Sequence, residues 1–273
     1  MIGLYSLEPY TNIALEKIRM YYENHGEEVE DYMPIAHTKY NNIFCSSLFT
    51  FSPKSYVTDD MICGGTGFDL TTVLSPEIEA MRPKINMGFT TRGCIRKCAF
   101  CVVPEKEGKI KATGDIYDFW DRKNKEIIVL DNNILALPDH FKMIASQIKR
   151  ENLKVDFNQG LDFRLMNREL LRLAKEIKMP IWRFAWDNMK DLRMVRAFLQ
   201  MLKEEKIKNT RWYVLIGFDT SEEEDLERVT ILKKHGHDPF VMPYNKYDAY
   251  QRKFARWVNH KAIFKSVEWK DYK

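Results

Sequence analysis

Cys94, Cys98 and Cys101 stand in the run Gly-Phe-Thr-Thr-Arg-Gly-Cys-Ile-Arg-Lys-Cys-Ala-Phe-Cys, a C-x3-C-x2-C spacing with Phe100 just before the third cysteine. Thiols this close in a chain act as metal ligands or redox partners. A closed structural metal site takes four ligands. Here the next histidine is His140, and no cysteine follows Cys101. Structural zinc in its usual four-ligand forms fits poorly unless Cys45 or Cys63 folds back to complete the set. A ferredoxin-type cluster lacks its fourth cysteine. The remaining option is an iron–sulfur cluster on three cysteines, with one iron open to a small molecule.

The elements that must position this loop alternate between strand and helix. From residue 86 onward, six apolar runs read as strands: Met87–Thr91, Glu126–Leu130, Lys154–Phe157, Pro180–Ala185, Trp212–Ile216 and Pro239–Met242. Helical spacing predicts helices over His140–Arg150, Arg168–Ile177, Leu192–Lys203 and Glu222–His235. Each strand ends in polar residues or glycine, and in α/β barrels the carboxyl ends of the strands carry the active site. Residues 1–75 read as a smaller α/β unit ending in Gly64-Gly65-Thr66-Gly67, with residues 76–85 as a proline-containing linker. That glycine turn follows a strand, the usual place for close ligand approach, but it lacks the full dinucleotide fingerprint. Gly64, Gly65 and Gly67 are either a ligand loop or a structural turn.

Composition narrows the class. The 273 residues are 45% hydrophobic and 30% charged, which is ordinary for a globular chain. Five cysteines, an odd number with three in eight residues, argue against a disulfide framework. No signal peptide or apolar run of membrane-spanning length is present, so a cytoplasmic location and no membrane partner are expected. The net charge of +4 permits an acidic partner without demanding one.

A strand, a glycine and C-x3-C-x-aromatic-C opening six β/α units together resemble the radical S-adenosylmethionine (SAM) enzymes. The resemblance implies a partial (β/α)6 barrel over residues 86–245 and a [4Fe–4S] cluster on Cys94, Cys98 and Cys101. It also implies SAM on the free iron and reductive cleavage to a 5′-deoxyadenosyl radical. An electron donor such as reduced flavodoxin or ferredoxin follows from it, as does a substrate that is RNA, a peptide or a small molecule. Arg92, Arg96 and Lys97 would place positive charge beside the cluster, and Phe100 would shield it or flank the adenine. Asp131, Asn132 and Asn133, where the family often has Gly-Gly-Glu, would meet the SAM ammonium. Arg164, with Gln159 and Asp162, would meet its carboxylate. Asp187 would accept from the ribose, and Gly217 would let the backbone approach the adenosine.

The small first unit is similar to that of cobalamin-binding radical SAM enzymes and methylthiotransferases. It has no Asp-x-His-x-x-Gly motif, so a Rossmann-like unit without cobalamin is expected. Cys45 and Cys63 read as apolar strand cysteines. Residues 246–273 mix aromatic and basic side chains. They read as an amphipathic helical tail with Phe254, Trp257 and Phe264 inward, or as a nucleic-acid surface. From another class, a non-catalytic Fe–S or SAM-binding protein, with or without a nucleic-acid partner, stands as the alternative.

Overall fold

A computed structural model describes residues 1–272. Two blocks of alternating strands and helices account for most of them, the first built on two apolar clusters and the second on one larger core. The first block runs β1 (Ile2–Ser6), α1 (Ile13–Asn24), β2 (Val29–Asp31), β3 (Asn42–Ser46), β4 (Ile62–Gly64) and α2 (Pro76–Glu79). Its four strands are parallel in the order β2-β1-β3-β4. The side chain of Asn12 caps α1 by accepting the Ala14 and Leu15 N–H groups, donors that a helix start otherwise leaves unpaired. Leu15 and Ile18 of α1 share a core with Ile2 and Leu4 of β1. The chain leaves β1 on one side and returns to β3 on the other. The carboxyl ends of β1 and β3 therefore flank the crevice where open α/β sheets bind ligands.

The segment expected to be a linker, residues 76–85, begins instead with α2. Ser75 caps this short helix, and Ile78 is buried in the first block's core. The small sheet needs that apolar lid, so the first block reaches beyond residue 75.

The second block contains β5 (Met87–Gly88), β6 (Thr91–Arg92), α3 (Val103–Lys106), β7 (Lys111–Ala112), β8 (Glu126–Val129), α4 (Pro138–Arg150), β9 (Lys154–Phe157) and α5 (Arg168–Lys175). It continues with β10 (Trp182–Ala185), α6 (Leu192–Glu204), β11 (Thr210–Ile216), α7 (Glu222–Lys234), β12 (Asp238–Pro243), α8 (Ala249–Asn259) and α9 (Lys261–Ser266). All six expected strands form, in two parallel sheets ordered β5-β8-β9 and β10-β11-β12. The ladder is interrupted between β9 and β10. There the Leu161 N–H donates to the Arg183 carbonyl at 2.8 Å, and Arg183 pairs with Asp156 at 2.6 Å. The architecture is mixed α/β with parallel sheets.

On α4 the buried positions Phe141, Ile144, Ala145 and Ile148 follow the helical repeat and face the strands. Phe254, Trp257 and Phe264 enter the same core, as the amphipathic pattern predicts, so residues 246–272 pack into the second block and do not trail from it. Among the described residues no helix is long and apolar enough to cross a membrane.

Candidate active site

The cysteine loop springs from the short antiparallel pair β6–β7, just beyond the carboxyl end of β5. Gly93 begins it with φ +85°, and a Cβ there would lie 2.4 Å from the Lys109 carbonyl oxygen. Only glycine lets the two sides of the loop pass this closely. The Cys94 N–H then donates to the Gly108 carbonyl at 3.2 Å, and the Cys101 N–H to the Cys98 carbonyl at 3.0 Å.

All three thiols are partly buried and free. N–H groups point at two of the sulfurs. Cys94 Sγ accepts from the Arg96 N–H at 3.3 Å and from Asn133 Nδ2 at 3.5 Å, and the Val103 N–H serves Cys101. Donors of this kind stabilise thiolate ligands and tune the group they bind. Burial pushes the Cys98 and Cys101 thiols up; Arg164 pulls Cys98 back, while the neighbouring thiols and Asp187 push it further. Cys94, Cys98, Cys101, Arg164 and Asp187 thus share one electrostatic neighbourhood. Among the described residues no group of three or more His, Cys, Asp or Glu side chains is gathered tightly enough to hold a metal ion.

The tripeptide after β8 has three separate fates. Asp131 is buried, with both carboxylate oxygens taken: it accepts the Thr90 N–H at 2.6 Å, the Thr91 N–H at 2.9 Å and the Thr90 hydroxyl. Burial raises its pKa despite these bonds. Expected beside an ammonium, Asp131 is instead the anchor that ties the cysteine loop to β8. Asn132 assists by accepting the Gly93 N–H at 3.1 Å. Asn133 is the member that faces the thiols. Its amide donates to Cys94 and, at 3.1 Å, to Asp162, while its buried Oδ1 has no partner. A buried acceptor without a donor is costly and marks a place where a ligand donor fits.

The segment after β9 is more tightly committed than expected. Asp162 accepts from Arg96 Nε at 2.9 Å, from Asn133 Nδ2, from Arg164 Nε at 2.7 Å and from the Arg164 N–H at 3.2 Å. Burial pushes its carboxyl up, but Arg164 and Arg96 outweigh burial and hold it below the usual value. Arg164 also reaches Asp191 at 3.4 Å. Gln159 is exposed in the turn and makes no side-chain hydrogen bond among the described residues. Asp187 accepts only the Leu215 N–H, at 3.3 Å, and burial raises its pKa. Of the expected cations beside the thiols, Arg92 is paired with Glu107 at 2.6 Å, Arg96 with Asp162, and Lys97 is exposed.

Phe100 packs edge-on against Phe218 with ring centroids 5.6 Å apart, and Phe218 against Tyr244 at 4.9 Å. Phe218 was not singled out from the sequence; its signal is an aromatic residue directly after the β11 glycine. Gly217 faces Gln251 of α8, which would lie 2.1 Å from an added Cβ, so α8 already occupies the near approach expected for adenosine. Trp182 and Trp186 are core residues.

The glycine turn of the first block is sealed from within. An added Cβ at Gly65 would lie 2.4 Å from the Ser47 carbonyl oxygen, and one at Gly67 2.2 Å from Ser47 Oγ. The crevice beside it is filled by Glu8. That buried carboxylate accepts from the Leu48 N–H at 3.0 Å, the Phe49 N–H at 3.3 Å, Ser47 Oγ at 3.0 Å and Ser52 Oγ at 2.6 Å. Backbone and hydroxyl donors that would cradle an anion are consumed by the chain's own side chain. Gly64, Gly65 and Gly67 therefore form a structural turn, and the missed residue is Glu8, whose signal is an acid two positions beyond β1. No family model and no curated protein matches the chain.

Proposed function

We propose that the chain is a radical SAM enzyme whose second block is a partial (β/α)6 barrel. Six parallel strands in chain order, tied across the break between β9 and β10, support that reading of the fold. The observation that carries the function is the three-thiol loop at a strand carboxyl end, with N–H donors on its sulfurs and the unpartnered Asn133 Oδ1 beside Cys94. Cys94, Cys98 and Cys101 would hold a [4Fe–4S] cluster, which supplies an electron for reductive cleavage of SAM and so a radical for hydrogen abstraction.

The protein's own groups have narrower tasks. Asn133 Oδ1 accepts from the SAM ammonium. Arg164, released in part from Asp191, meets the carboxylate with its fork. Asp187 accepts a ribose hydroxyl, and the Phe100–Phe218–Tyr244 rings keep water from the reacting centre.

A second reading is a non-catalytic SAM- or cluster-binding protein, favoured by the commitment of Asp131 and Asp162 to internal partners. One experiment separates the two. After anaerobic reconstitution with iron and sulfide, SAM and a strong reductant should yield 5′-deoxyadenosine. A cluster or bound SAM without 5′-deoxyadenosine supports the second reading, and the absence of both a cluster spectrum and SAM binding overturns both.

A further inference from the structure

The Glu8 cage fixes the loop over residues 47–52, and that loop presents two phenylalanines to water. Phe49 and Phe51 stack with centroids 5.0 Å apart and planes 5° from parallel, at 42% and 45% exposure. Leaving two rings in water forfeits burial energy. The carboxylate grip on the Leu48 and Phe49 N–H groups holds the backbone that keeps them there. From the second block, the Lys246 ammonium lies 3.2 Å from the Phe51 ring centroid, and Tyr247 beside it is 72% exposed. Tyr244 then leads through Phe218 to Phe100 in the cysteine loop. The chain from Tyr244 to Tyr247 joins the outer stacked pair to the rings beside the cysteine loop.

Residues 244–256 carry four cations and one carboxylate, Asp248, which caps α8. Lys246, and Arg252 and Arg256 on the outer face of α8, have no carboxylate partner among the described residues. The α4–α5 surface differs, because its cations are paired with carboxylates, among them Lys142–Glu169, Lys149–Glu176 and Lys175–Glu205. Exposed π faces beside uncompensated cations suit unpaired nucleobases, with the rings stacking on bases and the cations taking phosphates. A docking helix or peptide would ask for a deep apolar groove; a flat, rigid, cation-flanked pair offers little to one.

We propose that Phe49, Phe51, Lys246 and Tyr247, with Arg252 and Arg256, bind single-stranded nucleic acid and deliver an unpaired base toward the cysteine loop. What happens to the base rests on the radical SAM reading above; the binding does not. The test uses the full-length, anaerobically reconstituted protein and fluorescence anisotropy with labelled oligo-U and oligo-dT of about 12 nucleotides, against a duplex of the same length. Single strands should bind at least about tenfold more tightly than duplex, and affinity should fall steeply as salt rises from about 50 to about 200 mM. Phe49→Ala with Phe51→Ala should weaken binding roughly tenfold or more with unchanged circular dichroism, because both rings are exposed. Arg252→Gln with Arg256→Gln should flatten the salt dependence. No anisotropy change at low salt, duplex bound as tightly as single strands, or undiminished binding by the double alanine variant overturns the proposal. 5′-Deoxyadenosine is measured in the same preparation. Oligonucleotide binding without it leaves the platform standing and removes the enzymatic reading; the converse removes the platform alone.

Discussion

Both blocks of this chain gather polar residues at the carboxyl ends of parallel strands, yet they end differently. In the first block the crevice between β1 and β3 is closed from inside: Glu8 takes four donors, and Ser47 seals Gly65 and Gly67. In the second, buried groups are left wanting partners: Asn133 Oδ1 is orphaned, Asp187 has a single hydrogen bond, and three thiols share one loop. A polar strand end is therefore no indicator of a ligand by itself. The indicator is polarity that the chain does not satisfy, since folding alone removes unpaired buried groups wherever it can.

Substitutions that trade activity against stability should separate the two ends. Cys98→Ala should abolish the cluster spectrum and 5′-deoxyadenosine formation while leaving the urea midpoint nearly unchanged, because a partly exposed thiol contributes little to packing. Retained cleavage by that variant would break the assignment of the second block as the site. Glu8→Ala should do the reverse. It strands the Leu48 and Phe49 N–H groups and the Ser52 hydroxyl, at a cost on the order of 4 kcal/mol. Hydrogen exchange confined to the first block should report the loss. If exchange there is unaltered, the cage is not what holds that crevice shut.

Acid should open the blocks in separate windows. His237, buried at the start of β12 with Nδ1 2.7 Å from the Thr210 hydroxyl, is driven down to about 4 by burial and by His235, against a weaker pull from Asp238. The unfolded chain takes up this proton near the ordinary value of 6.5 and the native chain only near 4, so stability falls as pH drops through that interval, by up to about 3 kcal/mol. Glu8 is pushed up by burial, but bonds from Ser52, Leu48, Ser47 and Phe49 hold it below its ordinary value of 4.5. Its contribution is intact above that value and is lost as pH falls through the lowered one. All six tryptophans lie from Trp120 onward, so their fluorescence reports the second block alone. Its urea midpoint should drop between about pH 6.5 and 4, and His237→Gln should remove that drop. A midpoint flat over this range in the unmodified protein would show that His237 titrates normally.

The elements were legible because their signals are local. Six apolar runs became six strands, Ser221 and Glu224 form the capping box that opens α7, and Phe254, Trp257 and Phe264 turn inward as their spacing requires. What escaped was set by contacts across long stretches of chain. Nothing in Asp131-Asn132-Asn133 tells which residue will meet Thr90, which Gly93 and which Cys94, since those partners lie 39 to 41 positions away. Glu8 is likewise defined by residues 39 to 44 positions distant. Ile78 hid in a proline-containing stretch because its burial depends on α1, not on its neighbours.

Asn133 provides the finest test of the contrast between satisfied and unsatisfied ends. Its Oδ1 contributes nothing to the fold in the unliganded protein, and its Nδ2 makes two bonds, at 3.1 and 3.5 Å. Asn133→Ala removes an orphaned acceptor together with those bonds, so the stability change should stay within about 1 kcal/mol. If the acceptor awaits a SAM ammonium, the same change should raise the KM for SAM several-fold while the cluster still assembles on the three cysteines. Asn133→Asp keeps an acceptor in place but sets a second carboxylate against Asp162, so it should cost more stability than alanine while retaining SAM affinity better. Equal KM values for the native, alanine and aspartate forms would mean that this orphaned oxygen is a packing defect, and the distinction between the two strand ends would then rest on the thiols alone.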